Sequence, residues 1–125
     1  MWKNNAIMIV IDCLRYDHAD QLKNMLAHYE FLSYENAIAP APWTTPSVTS
    51  MLTGLYPIVH GVHEDKDRKL LKVFLKSTLK DRLISSLFLK NGFKTYLLTA
   101  NPLIRPNIGF RGFSKVLIYD YADII

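Results

Sequence analysis

The sequence predicts an α/β fold with a largely parallel sheet, and three observations carry that expectation. Ala6-Ile-Met-Ile-Val-Ile11 is an uninterrupted, mostly β-branched apolar run closed by Asp12, the pattern of a strand covered on both faces. Two later segments, Val48 to Leu55 and Leu79 to Phe88, repeat apolar residues at helical spacing. Two short β-rich runs, Thr95–Thr99 and Val116–Tyr119, then close the chain on either side of a Pro/Gly-rich loop. Strands alternating with helices favour parallel pairing through right-handed crossovers.

Each element has a local reason. Asp17 to about Tyr29 reads as a helix with Leu22, Met25, Leu26 and Tyr29 on one face and Asp17 or Asp20 as its cap. Asn36–Ala39 is a candidate second strand. Pro40-Ala-Pro-Trp43 cannot be regular helix, because proline restrains itself and the residue before it to extended backbone. A helix should follow, with Thr45 as N-cap, Pro46 at its first position, and Val48, Met51, Leu52 and Leu55 as its apolar stripe. Gly54 is its expected C-cap, and Trp43 is expected to pack on it as a staple. Tyr56–Lys69 is polar and turn-like. Thr78-Leu-Lys-Asp81 resembles a capping box, opening a helix that turns Leu79, Leu83, Ile84, Leu87 and Phe88 inward and stops at Asn91-Gly92.

The 125 residues amount to a single domain spanning 1–125. Half are apolar and 21% are charged, which suits a packed core. The net charge of +4 comes from fifteen basic and eleven acidic residues that interleave, so no nucleic-acid surface is expected. The longest apolar run falls far short of the roughly 20 residues of a membrane span, and the single Cys13 suits a reducing compartment. The expected location is cytoplasmic. Asp12-Cys-Leu-Arg15 has no glycine, which ranks a nucleotide-binding Rossmann-like domain last among the readings.

Ligands bind α/β sheets at the carboxyl ends of strands, so the loops holding Asp12, Thr44 and Asn101 are expected to converge. Asp12 is either a metal ligand or a cap. Thr44 and Thr45 are alternative caps of the same helix, or Thr45 caps while Thr44 presents a hydroxyl to an anionic ester at the helix's positive end. Such a hydroxyl needs a metal or base to become a nucleophile. Asn101 either contacts substrate or shapes the turn before Pro102. His60 and His63 have a spacing compatible with a metal pair but are expected to be structural or solvated, and Arg15 to pair with Asp17 or with another acid. Cys13 is expected to be small and buried beside the strand end.

Three segments together resemble the opening of the sulfatase family in the alkaline phosphatase superfamily. They are Ile9-Val-Ile-Asp12-Cys-Leu-Arg15-Tyr-Asp17, Ala39-Pro-Ala-Pro-Trp43-Thr44-Thr-Pro46-Ser47 through Gly54 to His60-Gly61, and Thr78-Leu through Asn91-Gly92 to Thr95. The resemblance covers nearly the whole chain. It implies an alkaline-phosphatase-like three-layer α/β/α sandwich, of which this chain is the N-terminal portion. It also implies hydrolysis or transfer of small-molecule sulfate or phosphate esters. A divalent cation, Zn, Mn, Mg or Ca, would be held partly by Asp12 and Thr44, with Thr44 at the nucleophile position.

Family members are several times longer, with further metal ligands beyond the matched region. A second chain or a missing C-terminal segment is therefore expected to complete the site. Thr44 cannot become formylglycine, Val48 replaces an Arg of the sulfatase signature, and Cys13 replaces the second of two adjacent Asp ligands. Ala100 or Asn101 stands in place of a Lys. These departures favour a metal-activated threonine acting on a phosphoester. The alternative is a catalytically incomplete interaction module that keeps the fold.

Overall fold

The computed structural model describes residues 5–62 and 77–119, in two compact units divided between Ala37 and Ile38. The fold is mixed α/β. The first unit contains a 3-10 turn, Tyr16–His18, running into helix α1, Ala19–Leu26. Neither Asp17 nor Asp20 caps α1. His18 takes the N-cap position without a side-chain bond, because the Asp17 carboxylate is engaged by Arg15 in a paired bond of 2.9 and 2.7 Å. The predicted Arg15–Asp17 pair is therefore present, and it is what removes Asp17 from capping. Lys23 bonds Glu35 at 3.0 Å, and that bond raises its pKa above the ordinary lysine value.

Two expectations for this unit are corrected. Ala6–Ile11 and Asn36–Ala37 form no strand, nor do Ile38–Ala39 of the second unit; among the described residues the sheet has two strands, both later in the chain. A strand exists by virtue of its ladder, and the apolar run, with Ile7 at 88% exposure, lies against no partner strand among the described residues. Cys13 is exposed rather than buried, as is the whole stretch from Asn5 to His18 around it, and it takes a left-handed backbone (φ 57°) in the turn after Asp12.

In the second unit, helix α2 runs Thr44–Thr53 and a single-turn helix α3 runs Pro57–His60. A 3-10 segment, Ser77–Arg82, leads to α4, Ile84–Lys90, and the strands are β1, Tyr96–Thr99, and β2, Lys115–Ile118. Both strands appear within a residue of their predicted bounds and pair in parallel, with Tyr96 opposite Lys115 and Thr99 opposite Ile118. The Thr95 carbonyl extends the ladder by accepting the Ser114 N–H at 2.7 Å. The buried core among the described residues is Val48, Val62, Leu79, Leu83, Ile104 and Phe110, with Leu52, Leu55, Ile108 and Phe113 packed against it. The α2 stripe is thus buried at Val48 and half-buried at Leu52 and Leu55, while Met51 faces out.

The helix expected from Thr78 to its stop at Asn91-Gly92 is broken at Leu83, whose extended backbone (ψ 133°) is the N-cap of α4. Leu79 and Leu83 stay in the core, but the break resets the helical phase, so Ile84, Leu87 and Phe88 are exposed. Ser85 and Ser86 are buried in their place, donating to the Arg111 and Lys80 carbonyls at 2.7 Å each. The expected stop at Asn91-Gly92 is present, with Gly92 in the left-handed region at φ 81°.

The serine face lets the chain approach closely at Gly112. A Cβ there would lie 2.6 Å from the Ser86 nitrogen and 2.7 Å from its Cα, at a backbone φ of 83°. Gly112→Ala should therefore destabilise the protein by about 2–4 kcal/mol, through overpacking against backbone and left-handed strain. Urea unfolding measures it, and a loss below about 0.5 kcal/mol would show that the contact relaxes freely.

Candidate functional site

The Thr44 segment is shaped by proline chemistry and by side chains that turn back on the main chain. Pro40 and Pro42 keep the approach out of helix, and Trp43 is fully extended (φ −146°, ψ 164°) at the N-cap of α2. The helix starts two residues earlier than expected. Thr44, not Pro46, is its first residue, and Thr45 is not the cap but lies inside the first turn. The reason is that the first four N–H groups of a helix have no intrahelical partner, so Pro46 fits anywhere in that turn.

Thr44 and Thr45 are sharply different. Thr45 is 1% exposed and its hydroxyl is buried without a hydrogen-bond partner, whereas Thr44 is half-buried. Trp43 has no side chain able to cap, so the positive end of α2 is left to groups other than a capping side chain. Ser47 Oγ donates to the Ala41 carbonyl at 2.8 Å, and the Ser47 N–H reaches the Trp43 carbonyl at 3.4 Å. Further along, Thr49 and Thr53 hydroxyls donate to the carbonyls of Thr45 and Thr49, at 2.7 and 2.6 Å. Gly54 ends the helix in the left-handed conformation expected of it (φ 69°), donating to the Ser50 carbonyl at 2.8 Å.

The far half of α2 is held by a buried histidine. His60 is 1% exposed, with Nε2 3.0 Å from Ser50 Oγ, and its Nδ1 accepts the Val62 N–H at 3.0 Å. An Nδ1 that accepts a bond carries no proton, so the neutral ring has its hydrogen on Nε2 and donates it to Ser50. His60 is therefore structural, as the sequence suggests, while His63 lies outside the described residues.

Asn101 serves its own turn. Its side-chain oxygen accepts the Leu103 N–H at 2.8 Å, its carbonyl accepts the Ile104 N–H at 3.2 Å, and its N–H donates to Thr99 Oγ1 at 3.1 Å. That is an Asx-turn closing the chain after β1. Asp12 belongs to the first unit, where its Oδ1 accepts the Cys13 N–H at 3.0 Å. Thr44 and Asn101 belong to the second, on α2 and on the loop leaving β1. A concavity of about 310 Å³ lies by Pro106, Asn107, Arg111 and Phe113, and neither Thr44 nor Asn101 lines it.

Hard oxygen donors such as Asp12 and Thr44 suit Mg, Mn or Ca by type, but number decides a site. Among the described residues no three His, Cys, Asp or Glu side chains gather. Sequence reasoning overlooked two contributors, Ser47 and Ser50, whose signal was only that hydroxyls occupy buried or half-buried positions of a core-facing helix. No family model matches the chain, and neither a curated protein nor a solved structure matches it.

Proposed function

We propose that this chain carries the nucleophile part of a sulfatase-like catalytic domain acting on phosphate or sulfate esters. The observation that carries the reading is the position of Thr44. It is the first residue of a ten-residue helix, at the end of a proline-braced approach, half-buried where its neighbour Thr45 is fully buried. Free phosphate or sulfate esters are anions, and a helix N-terminus favours them. In the step proposed, Thr44 Oγ1 forms a bond to phosphorus or sulfur as the bond to the leaving oxygen breaks. The Thr44 proton passes to solvent or to the departing oxygen, and water later cleaves the ester on Thr44.

The larger architecture proposed is the three-layer α/β/α sandwich, supported by the parallel pairing of β1 with β2. A divalent cation would supply charge neutralisation, with Asp12 and Thr44 among its oxygen donors and the rest coming from outside the described residues. A second reading, an interaction module that keeps the fold without the chemistry, is favoured by the small donor set among the described residues. Among these residues no helix is long and apolar enough to cross a membrane.

The test is hydrolysis of p-nitrophenyl phosphate and p-nitrophenyl sulfate by the full chain, with Mg, Mn, Ca or Zn added singly and then removed with chelator. Expected is turnover that rises with one of these cations and returns to background on chelation, greater on the phosphate. Background rates under every cation, with the protein folded, would favour the interaction module.

A further inference from the structure

We infer that Ser47 is a positioning residue for Thr44, acting through the Ala41 carbonyl; the inference rests on the nucleophile reading above. The bond from Ser47 Oγ to Ala41 O, 2.8 Å long and half-buried, ties together the two ends of the segment 41–47. Thr44 is the middle residue of that closed segment. Its backbone has little other freedom, because Pro42 and Pro46 lie two residues away on either side and fix their own φ angles. What the prolines leave open is the hinge at Trp43, where extended backbone becomes helix. The Ser47 hydroxyl closes that hinge from the helix side.

This bond differs from the other hydroxyl bonds of α2. Thr49 and Thr53 donate to carbonyls one turn back within the helix, and Thr53 Oγ1 also accepts the Leu55 N–H just past the helix end, so neither reaches the approach segment. Ser47 alone among these three reaches the approach segment. A reacting oxygen has to be held to a fraction of an ångström, and a displacement of about 1 Å costs roughly 100-fold in rate. The Ser47 bond sets the angle at which Thr44 enters α2.

The test compares Ser47→Ala with Ser47→Thr, which retains a hydroxyl, and with Thr44→Ala, all in the full chain. Two readouts are taken: steady-state kinetics on p-nitrophenyl phosphate and backbone ¹⁵N relaxation. Ser47→Ala should lower kcat by roughly 10- to 100-fold with KM changed less than about threefold. The amide order parameters of Trp43 and Thr44 should fall from a rigid value of about 0.85 toward 0.6, while those of Met51–Thr53 stay unchanged. Ser47→Thr should restore most of both. Unchanged order parameters at Trp43 and Thr44 in Ser47→Ala overturn the inference whether or not the chain turns over substrate. An unchanged kcat for Ser47→Ala beside a dead Thr44→Ala also overturns it. If Thr44→Ala keeps full activity while Ser47→Ala loosens Trp43 and Thr44, the nucleophile reading fails and the structural tie stands.

Discussion

Thr44→Ala should lower turnover of the preferred ester by roughly 1,000-fold or more, with the folded state intact, because removing a nucleophile eliminates the covalent route. Thr44→Ser should keep activity within about 100-fold of the parent, since the hydroxyl remains and only the methyl is lost. The neighbouring residue provides the control. Thr45 is fully buried with a hydroxyl that has no partner, so Thr45→Val removes a polar atom without removing a bond and should be neutral or slightly stabilising. Activity lost in Thr45→Val and kept in Thr44→Ala would exchange the roles of the two threonines and sink the assignment. Steady-state kinetics, with thermal unfolding of each variant alongside, separates a chemical loss from a folding one.

His60→Ala should produce the largest stability loss, about 3–5 kcal/mol by urea unfolding at neutral pH. The ring is buried and joins Ser50 on α2 to the Val62 N–H, so its removal leaves a cavity and two polar groups without their partner. Ser50→Ala alone should cost less, about 1 kcal/mol, and the double variant should fall short of the sum because Ser50 no longer needs a partner once His60 is gone. A loss under about 1 kcal/mol for His60→Ala would mean that the histidine is not part of the core. The contrast with Ser47 is physical. His60 fastens the helix to the core and fails globally, whereas Ser47 shapes the entry to the helix and fails locally.

The candidate site was legible in part. Pro40, Pro42 and Pro46 mark the approach and the helix start around Thr44, but between Thr44 and Thr45 only the resemblance singles out Thr44 as the nucleophile. Which threonine is buried could not be read, since both sit in one helical turn and only the neighbours of α2 distinguish them. The helix start moved by two residues for the same reason, proline being acceptable throughout a first turn. His60 was readable as structural, but its partner Ser50 was not. Asn101 had a turn reading beside its substrate reading, and the Asx-turn bonds support the former.

Chain-local chemistry makes the residues of β1 and β2 fit for a sheet and accounts for the stops at Gly54 and Gly92 and the apolar stripe of α2, because backbone preference and periodicity act within a few residues. Packing alone selected the break at Leu83, where burying Ser85 and Ser86 against Arg111 and Lys80 outweighed a continuous leucine stripe. It also decided that Ala6–Ile11, strand-like by composition, forms no strand. Apolar β-branched residues make a segment fit for a sheet, but the hydrogen bonds that make it a strand belong to a neighbour distant in sequence.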